Sequence, residues 1–218
     1  MDRPLATTTF LGEEGLVQTG ASLTFPSFRL GPSTQTAWFE VTQSSNQTLF
    51  GDGGDLSYLG RVQGFFDLGP TRFLQLGATG VFADNEAEAL DLQSRLLGLD
   101  LYFRWTPNIL YRDFNLKAEW YFAEKEAPEE SLAGNGGYLQ ANARLSRRWT
   151  LGLRGDFVNG FGPGPEIFQL APSVSWWQSE WVRLRLQYNL VKPEGSGADH
   201  TLLLQTVWAV GPHKHEAY

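Results

Sequence analysis

Charged side chains stand at alternate positions inside hydrophobic stretches of this sequence. In "SEWVRLRLQYNLVK", residues 179–192, Arg183 and Arg185 alternate with Val182, Leu184 and Leu186. Alternate residues of a β-strand lie on the same face, so such a strand would have one apolar face and one face of arginine and amide groups. Side chains of this kind could line a water-filled passage and attract ions, or they could pair with one another.

The same alternation, applied along the chain, predicts one set of candidate functional residues on a shared polar face. These are Glu40, Arg61, Asp100, Arg104, Lys117, Glu119, Arg144, Arg154, Asp156, Arg183, Arg185, Gln187 and Asn189. Basic residues outnumber acidic ones, which favours anions if the face lines a pore. A second interpretation stays open, in which arginine–carboxylate pairs fill and close the interior.

The elements that would position these residues are strands, because period-2 alternation dominates the sequence. Turn-forming segments rich in Gly, Pro, Asn and Asp separate twelve candidate strands, near 5–11, 16–25, 35–43, 56–67, 72–82, 95–105, 113–123, 137–146, 149–158, 166–177, 181–191 and 200–210. Two acidic segments, "NEAEALDLQSRL" and "EKEAPEESLA", are predicted to form short helical pieces within loops.

Three features favour a membrane-spanning barrel over a soluble sandwich, in which strands also alternate. The predicted strands have the length that a tilted strand needs to cross a bilayer. Tryptophans stand near the strand ends, as in an interfacial girdle, at Trp105, Trp149, Trp176, Trp177, Trp181 and Trp208. Long acidic loops also alternate with compact turns that carry basic residues such as Arg72, Arg147 and Arg148. We therefore expect an all-β, antiparallel, up-and-down transmembrane β-barrel of about twelve strands, forming one domain over residues 1–218, with both termini on the short-turn side.

Composition excludes several other classes. The 218 residues contain no cysteine, which excludes disulfides and thiolate chemistry. A formal net charge of -7 argues against a general nucleic-acid binder. No apolar run is long enough for a transmembrane helix. The start, "MDRPLATTTF", has no signal-peptide pattern, so an exported protein would be numbered here as a mature, truncated or engineered chain.

The stretches "SEWVRLRLQYN" and "DHTLLLQTVWAVGPHKHEAY" resemble the final hairpin and tail of bacterial outer-membrane porins. Within that group they look like a poorly characterised porin-like family whose labels mention zinc regulation. The resemblance implies a bacterial outer-membrane location, contact with membrane lipid, and passive passage of small ions or solutes. Its members are longer, and many outer-membrane proteins end in Phe where this chain has Tyr218. The resemblance implies that the insertion machinery recognises this terminal aromatic residue.

Other chemistry is less well supported by the sequence. His213, His215 and Glu216 in the tail, and Asp52 and Asp55 in "GDGGD", are possible metal ligands, but a flexible terminal tail and a Gly-rich extracellular loop account for them better. Ser196 and His200 do not form a nucleophile motif. We therefore expect no enzyme and no cofactor. The alternatives to a channel are a plugged structural or binding barrel and a soluble lipocalin-like binder.

Overall fold

The computed structural model describes residues 3–51, 56–87, 90–128 and 130–209. Within them the fold is all-β, with twelve strands in one antiparallel sheet and two short helices. The antiparallel sheet predicted from the alternation is thus confirmed.

The elements follow one another as simple hairpins, so that each strand from β3 onward pairs with its neighbour in sequence. Their bounds are α1 Leu5–Leu11, β1 Gly20–Thr24, β2 Phe28–Leu30, β3 Ser33–Gln43, α2 Gln47–Phe50, β4 Leu56–Asp67, β5 Arg72–Ala87, β6 Leu90–Trp105, β7 Asp113–Glu126, β8 Ser131–Arg144, β9 Trp149–Asn159, β10 Ile167–Trp177, β11 Val182–Pro193 and β12 Asp199–Trp208.

The first two strands, β1 and β2, both pair with β3, one after the other along its length. β1 pairs with residues 38–42 of β3, and β2 pairs with residues 33–35 of the same strand. Pro26 lies between them and has no N–H to donate to a ladder. The predicted strand 16–25 is shorter than expected, since only residues 20–24 are paired as β1. The sheet runs from β1 to β12, and these edge strands are not paired with each other.

Residues 5–11 form the helix α1, so the predicted first strand is wrong. The segment "LATTTFL" contains three threonines, which favour strands. Its buried residues are Ala6 and Phe10, which stand four apart, as on one face of a helix. The helix ends at Gly12, whose φ of 74° suits glycine. Packing of this one face outweighs the local preference for a strand.

The described N-terminal residues also lie at the opposite end of the sheet from the short-turn end that was predicted. Phe10 of α1 contacts Phe161, in the long connection that follows β9, with 5.4 Å between ring centroids. The described N-terminal residues therefore sit at the long-loop end of the sheet, whereas the chain leaves β12 at the short-turn end.

The described residues of both acidic segments predicted to be helical continue the strands instead. β5 extends to Ala87 and β6 begins at Leu90, so the described part of "NEAEALDLQSRL" lies in two paired strands. In the same way, β7 runs to Glu126 and β8 begins at Ser131. Cross-strand pairing thus overrides the weak helical preference of these Glu- and Ala-rich stretches. Neither helix in the described ranges is long and apolar enough to cross a membrane.

The two faces of the sheet differ in an unusual way. Large apolar side chains on one face are exposed, including Leu139 at 53%, Leu153 at 50% and Leu204 at 72%. On the opposite face, where α1 packs, Arg154 is only 5% exposed and Asp156 only 3%. We call these the apolar face and the polar face. In a soluble sheet the apolar face is the one that is buried.

Candidate functional site

Every residue in the predicted set lies on the polar face, at register positions that alternate with the apolar residues. The structure gathers most of them into four groups and adds one element, α1, that the alternation did not predict.

The most buried group joins α1 to β9. Arg154 donates from Nε to Asp156 Oδ2 at 2.7 Å, and both side chains are almost fully buried. Asp156 Oδ1 accepts a hydrogen bond from the backbone N–H of Leu5 at 3.0 Å. One carboxylate therefore neutralises a buried arginine and satisfies an orphan donor in the first turn of α1.

The aromatic ring of Phe10 fixes the other end of α1. Phe10 is completely buried and lies against Tyr121 and Phe161. A Cβ built on Gly134 would come within 2.8 Å of this ring, and one on Gly136 within 3.2 Å. The glycines of "GNGG" therefore leave the space that the ring fills on β8.

A second group links β4, β5 and β6. Arg61 donates to Asp100 through both terminal nitrogens, at 2.6 and 2.9 Å, and also to Thr79 at 2.7 Å. The guanidinium lies over the ring of Trp38, 5.4 Å from its centroid. Gly77 lies beneath this pair, and a Cβ there would come within 2.3 Å of Asp100 Oδ2. The two-pronged geometry is the strong form of an arginine–carboxylate contact.

A third group lies along β7 and β8. Lys117 Nζ is 2.7 Å from Glu119 Oε1 and 5.7 Å from the ring centroid of Tyr138. Glu119 also accepts a short hydrogen bond from the Tyr121 hydroxyl. Tyr121 in turn packs on Phe10, so this group is continuous with the seat of α1.

The polar-face residues of β11 form a ladder of side-chain hydrogen bonds. Arg185 donates to Gln187 Oε1, and Gln187 donates to Asn189 Oδ1 at 2.7 Å. Gln187 and Asn189 are both buried. Consecutive polar-face residues of one strand are thus joined by side-chain hydrogen bonds.

The remaining members of the predicted set lie outside these four groups. Glu40 on β3 accepts from the Ser22 hydroxyl at 3.2 Å on the exposed edge. Arg104, Arg144 and Arg183 lie close to the short-turn ends of β6, β8 and β11. Basic residues of the set are therefore concentrated at this end, whereas three of its four carboxylates, Asp100, Glu119 and Asp156, are paired with basic residues further along the strands.

Trp177 was predicted to belong to the interfacial girdle, but it lies on the opposite face of the sheet. It is the register partner of Arg183, and the Arg183 guanidinium lies 5.4 Å from the centroid of the Trp177 ring. Trp177 therefore belongs to the polar face. Its neighbour Trp176 lies on the apolar face and packs near Trp149.

The apolar face carries a shallow groove of about 900 Å³. Its aromatic wall consists of Trp120, Phe157 and Phe168. Trp120 and Phe157 are stacked with 5.8 Å between centroids, and Phe157 lies 4.9 Å from Phe168. Gly155 keeps the groove open, because a Cβ there would meet nothing within 4 Å.

Several predicted sites cannot be placed on this fold. Asp52, Asp55, His213, His215, Glu216 and Tyr218 lie outside the described residues. Among the residues that are described, no group of three or more His, Cys, Asp or Glu side chains is arranged to hold a metal ion. His200 hydrogen-bonds through Nδ1 to the Tyr188 hydroxyl.

The sequence reasoning did not predict α1 or the glycines of β8 on which Phe10 of α1 packs. The one available signal was "GNGG" at residues 134–137, because clustered glycines inside a strand pattern mark a close approach of another group.

Comparisons with protein-family models, with curated proteins and with solved structures find no match for this chain.

Proposed function

We propose that this chain is an outer-membrane β-barrel of bacteria that passes small anions, and that α1 closes its long-loop half. One observation carries the proposal: the sheet exposes its leucines and aromatic residues and buries its charges. Arg154 and Asp156 are nearly inaccessible, whereas Leu204 is 72% exposed. Water disfavours this arrangement, but lipid on the apolar face and water on the polar face would stabilise it.

The same observation favours this proposal over a soluble lipocalin-like binder. A soluble barrel that holds a small ligand has an apolar interior and a polar exterior. In a membrane barrel, turning an arginine toward lipid would cost about 2–4 kcal/mol at the midplane. This cost would keep the charged residues of the predicted set on the polar face.

Closure into a barrel requires the two edge strands to find partners. β12 is exposed along most of its length and β1 along all of it. Open strand edges are not stable in the hydrocarbon region, because their N–H and C=O groups would be unsatisfied. We propose that β1 and β12 meet when the sheet inserts.

The anion preference follows from how the charges are distributed. Three carboxylates are paired, in Arg61–Asp100, Lys117–Glu119 and Arg154–Asp156. The remaining basic members of the set are arginines near the short turns, so that end carries excess positive charge and would attract anions.

α1 supports a resting state that is closed or weakly conducting. The helix covers the polar faces of β7, β8 and β9, and the polar residues around it are buried. The alternative of a fully plugged barrel differs only in whether α1 can leave the polar face, so the experiment has to move α1.

The chain lacks cysteine, which makes a reversible tether possible. A Cβ at Gly160 would lie 3.9 Å from Thr9 Cγ2, close to disulfide reach. We expect the double variant Thr9→Cys, Gly160→Cys to give little current in planar bilayers when oxidised, and more current when reduced. The single variant Thr9→Cys is the control and should not respond to reductant.

Two outcomes separate the parts of the proposal. Protein that stays monomeric and folded without detergent, and shows no heat-modifiable gel migration, would exclude the membrane barrel. A detergent-dependent barrel with no current in either redox state would exclude the channel and leave a plugged structural barrel.

A further inference from the structure

Three short turns meet around a cavity of about 840 Å³ at the short-turn end of the sheet. They are the connections at residues 106–112, 145–148 and 178–181. The backbone N–H of Trp177 donates to the Arg148 carbonyl at 2.8 Å, which ties the second turn to the end of β10. We call this cavity the vestibule, because Arg144 and Trp177, which line it, both lie on the polar face.

The charge of the vestibule is positive. Arg144, Arg147 and Arg148 line it, together with the carboxylates Asp113 and Glu180. Asp113 is the register partner of Arg144. Even so, Arg144 Nε is buried with no hydrogen-bond partner in the described part of the chain. A buried donor without a partner is costly unless a ligand or water satisfies it.

Aromatic side chains form the other walls. Trp177 carries the Arg183 guanidinium against one ring face, which brings a further positive charge beside the cavity. Trp181 and Tyr111 line the rim and are 38% and 46% exposed. The Arg147 guanidinium lies 5.7 Å from the Tyr111 ring centroid.

The backbone conformation of Tyr111 is a further indication of a ligand site. Its φ is 61°, and Tyr111 is the one non-glycine residue with positive φ in the described ranges. Bulky residues adopt this conformation at a cost, and such positions cluster at ligand sites. The conformation presents the Tyr111 ring at the rim of the vestibule.

We propose that the vestibule binds a phosphate group attached to a small organic moiety. Arginine forks match phosphate oxygens in pairs, and three arginines outweigh the two carboxylates for a ligand of charge near −2. The aromatic rings would hold the organic part. The inference rests on the proposed function, in which the vestibule is the short-turn mouth of the barrel, and it names the solute class that gathers there.

The test uses the full chain, folded in detergent, with phenyl phosphate as the probe in isothermal titration calorimetry. Benzyl alcohol serves as the neutral comparison. We expect phenyl phosphate to bind and benzyl alcohol not to bind. Arg144→Gln and Arg148→Gln should each weaken binding at least tenfold. Arg72→Gln is the matched control, because Arg72 is an exposed arginine at another short turn, and it should leave binding unchanged.

A second arm distinguishes a free phosphate ester from a lipid headgroup. The protein is placed in nanodiscs of zwitterionic lipid with or without an anionic phospholipid, and intrinsic tryptophan fluorescence is recorded during phenyl phosphate titration. Competition by the anionic lipid that is lost in Arg144→Gln would assign the phosphate to lipid. Equal binding in both membranes and in the phospholipid-free detergent would assign it to a dissolved solute.

Two results would overturn the assignment of the vestibule as a phosphate site. If heat-modifiable migration shows every variant to be folded and phenyl phosphate does not bind, or if Arg72→Gln weakens it as much as Arg144→Gln does, the vestibule is not a phosphate site. Binding without measurable conductance would overturn the channel and leave the vestibule site standing.

Discussion

Asp156 on β9 accepts a hydrogen bond from the backbone N–H of Leu5, 151 positions earlier in the chain, at 3.0 Å. Its second carboxylate oxygen accepts from Arg154 at 2.7 Å. A single side chain thus holds the N-terminal helix against the polar face and compensates a buried guanidinium, so its charge and its hydrogen bonding can be tested separately.

The variant Asp156→Asn keeps the shape and an acceptor for Leu5 but removes the charge. Because Arg154 would then be buried without a counter-charge, we expect the free energy of unfolding to fall by about 3 kcal/mol. Amide exchange in residues 5–11 should also become faster. Urea unfolding followed by tryptophan fluorescence and hydrogen-exchange mass spectrometry measure the two effects.

Glu40→Gln is the matched control for this variant, because the Glu40 contact with Ser22 is exposed. Its effect on unfolding should stay below about 0.5 kcal/mol. An equal loss in both variants would mean that the burial of Asp156 does not matter to stability.

The variant Gly136→Ala tests the seat of Phe10. A Cβ at Gly136 would lie 2.6 Å from the Phe157 carbonyl oxygen and 3.2 Å from the Phe10 ring. We expect a loss of about 1–3 kcal/mol from this crowding. Gly155→Ala on β9 is the comparison, since its Cβ would meet nothing within 4 Å. Similar stabilities for the two variants in chemical unfolding would contradict the tight fit at Gly136.

Ion selectivity tests the arginines of β11. Replacing Arg183 and Arg185 by Glu reverses two charges on the polar face, and we expect the reversal potential under a salt gradient to move toward cation preference. Lys192→Glu reverses a charge on the same strand at an apolar-face position, beside the groove, and should leave selectivity as it was. An unmoved reversal potential in the double variant would mean that these arginines do not face the ion pathway.

Chemical cross-linking tests whether the edge strands meet. Cysteines replacing Leu23 on β1 and, in turn, Leu202 or Leu204 on β12 would be the only thiols in the chain. If the sheet closes in a membrane, a short bis-maleimide should yield a cross-linked monomer in at least one pair. Exclusive formation of cross-linked dimers would instead indicate that the edges pair between two copies.

The alternation of β4 to β12 could be predicted because it reflects a local rule. Successive side chains point to opposite faces of a strand, so Arg183 and Leu184 are separated whatever else the chain does. The same rule assigned Arg61, Asp100 and Asp156 to one face. It could not reveal that Arg61 meets Asp100, because that contact depends on how two hairpins are aligned.

Two of the wrong predictions arose differently, one because a long-range contact outweighed local preference and one because the alternation of faces was not applied. Residues 5–11 were predicted to form a strand, but burial of Ala6 and Phe10 against the sheet makes them helical. Trp177 was predicted to join the girdle, but its place one residue after Trp176 puts it on the other face beside Arg183.

The sequence by itself determined the all-β character of this protein, the two chemically distinct faces and the concentration of arginines near the short turns, because strand periodicity and turn chemistry act over a few residues. Only the tertiary structure decided that α1 lies on the polar face, that Asp156 anchors it and that three turns enclose the vestibule. Those relationships join residues up to 151 positions apart, and their free energy depends on the packing of the whole sheet.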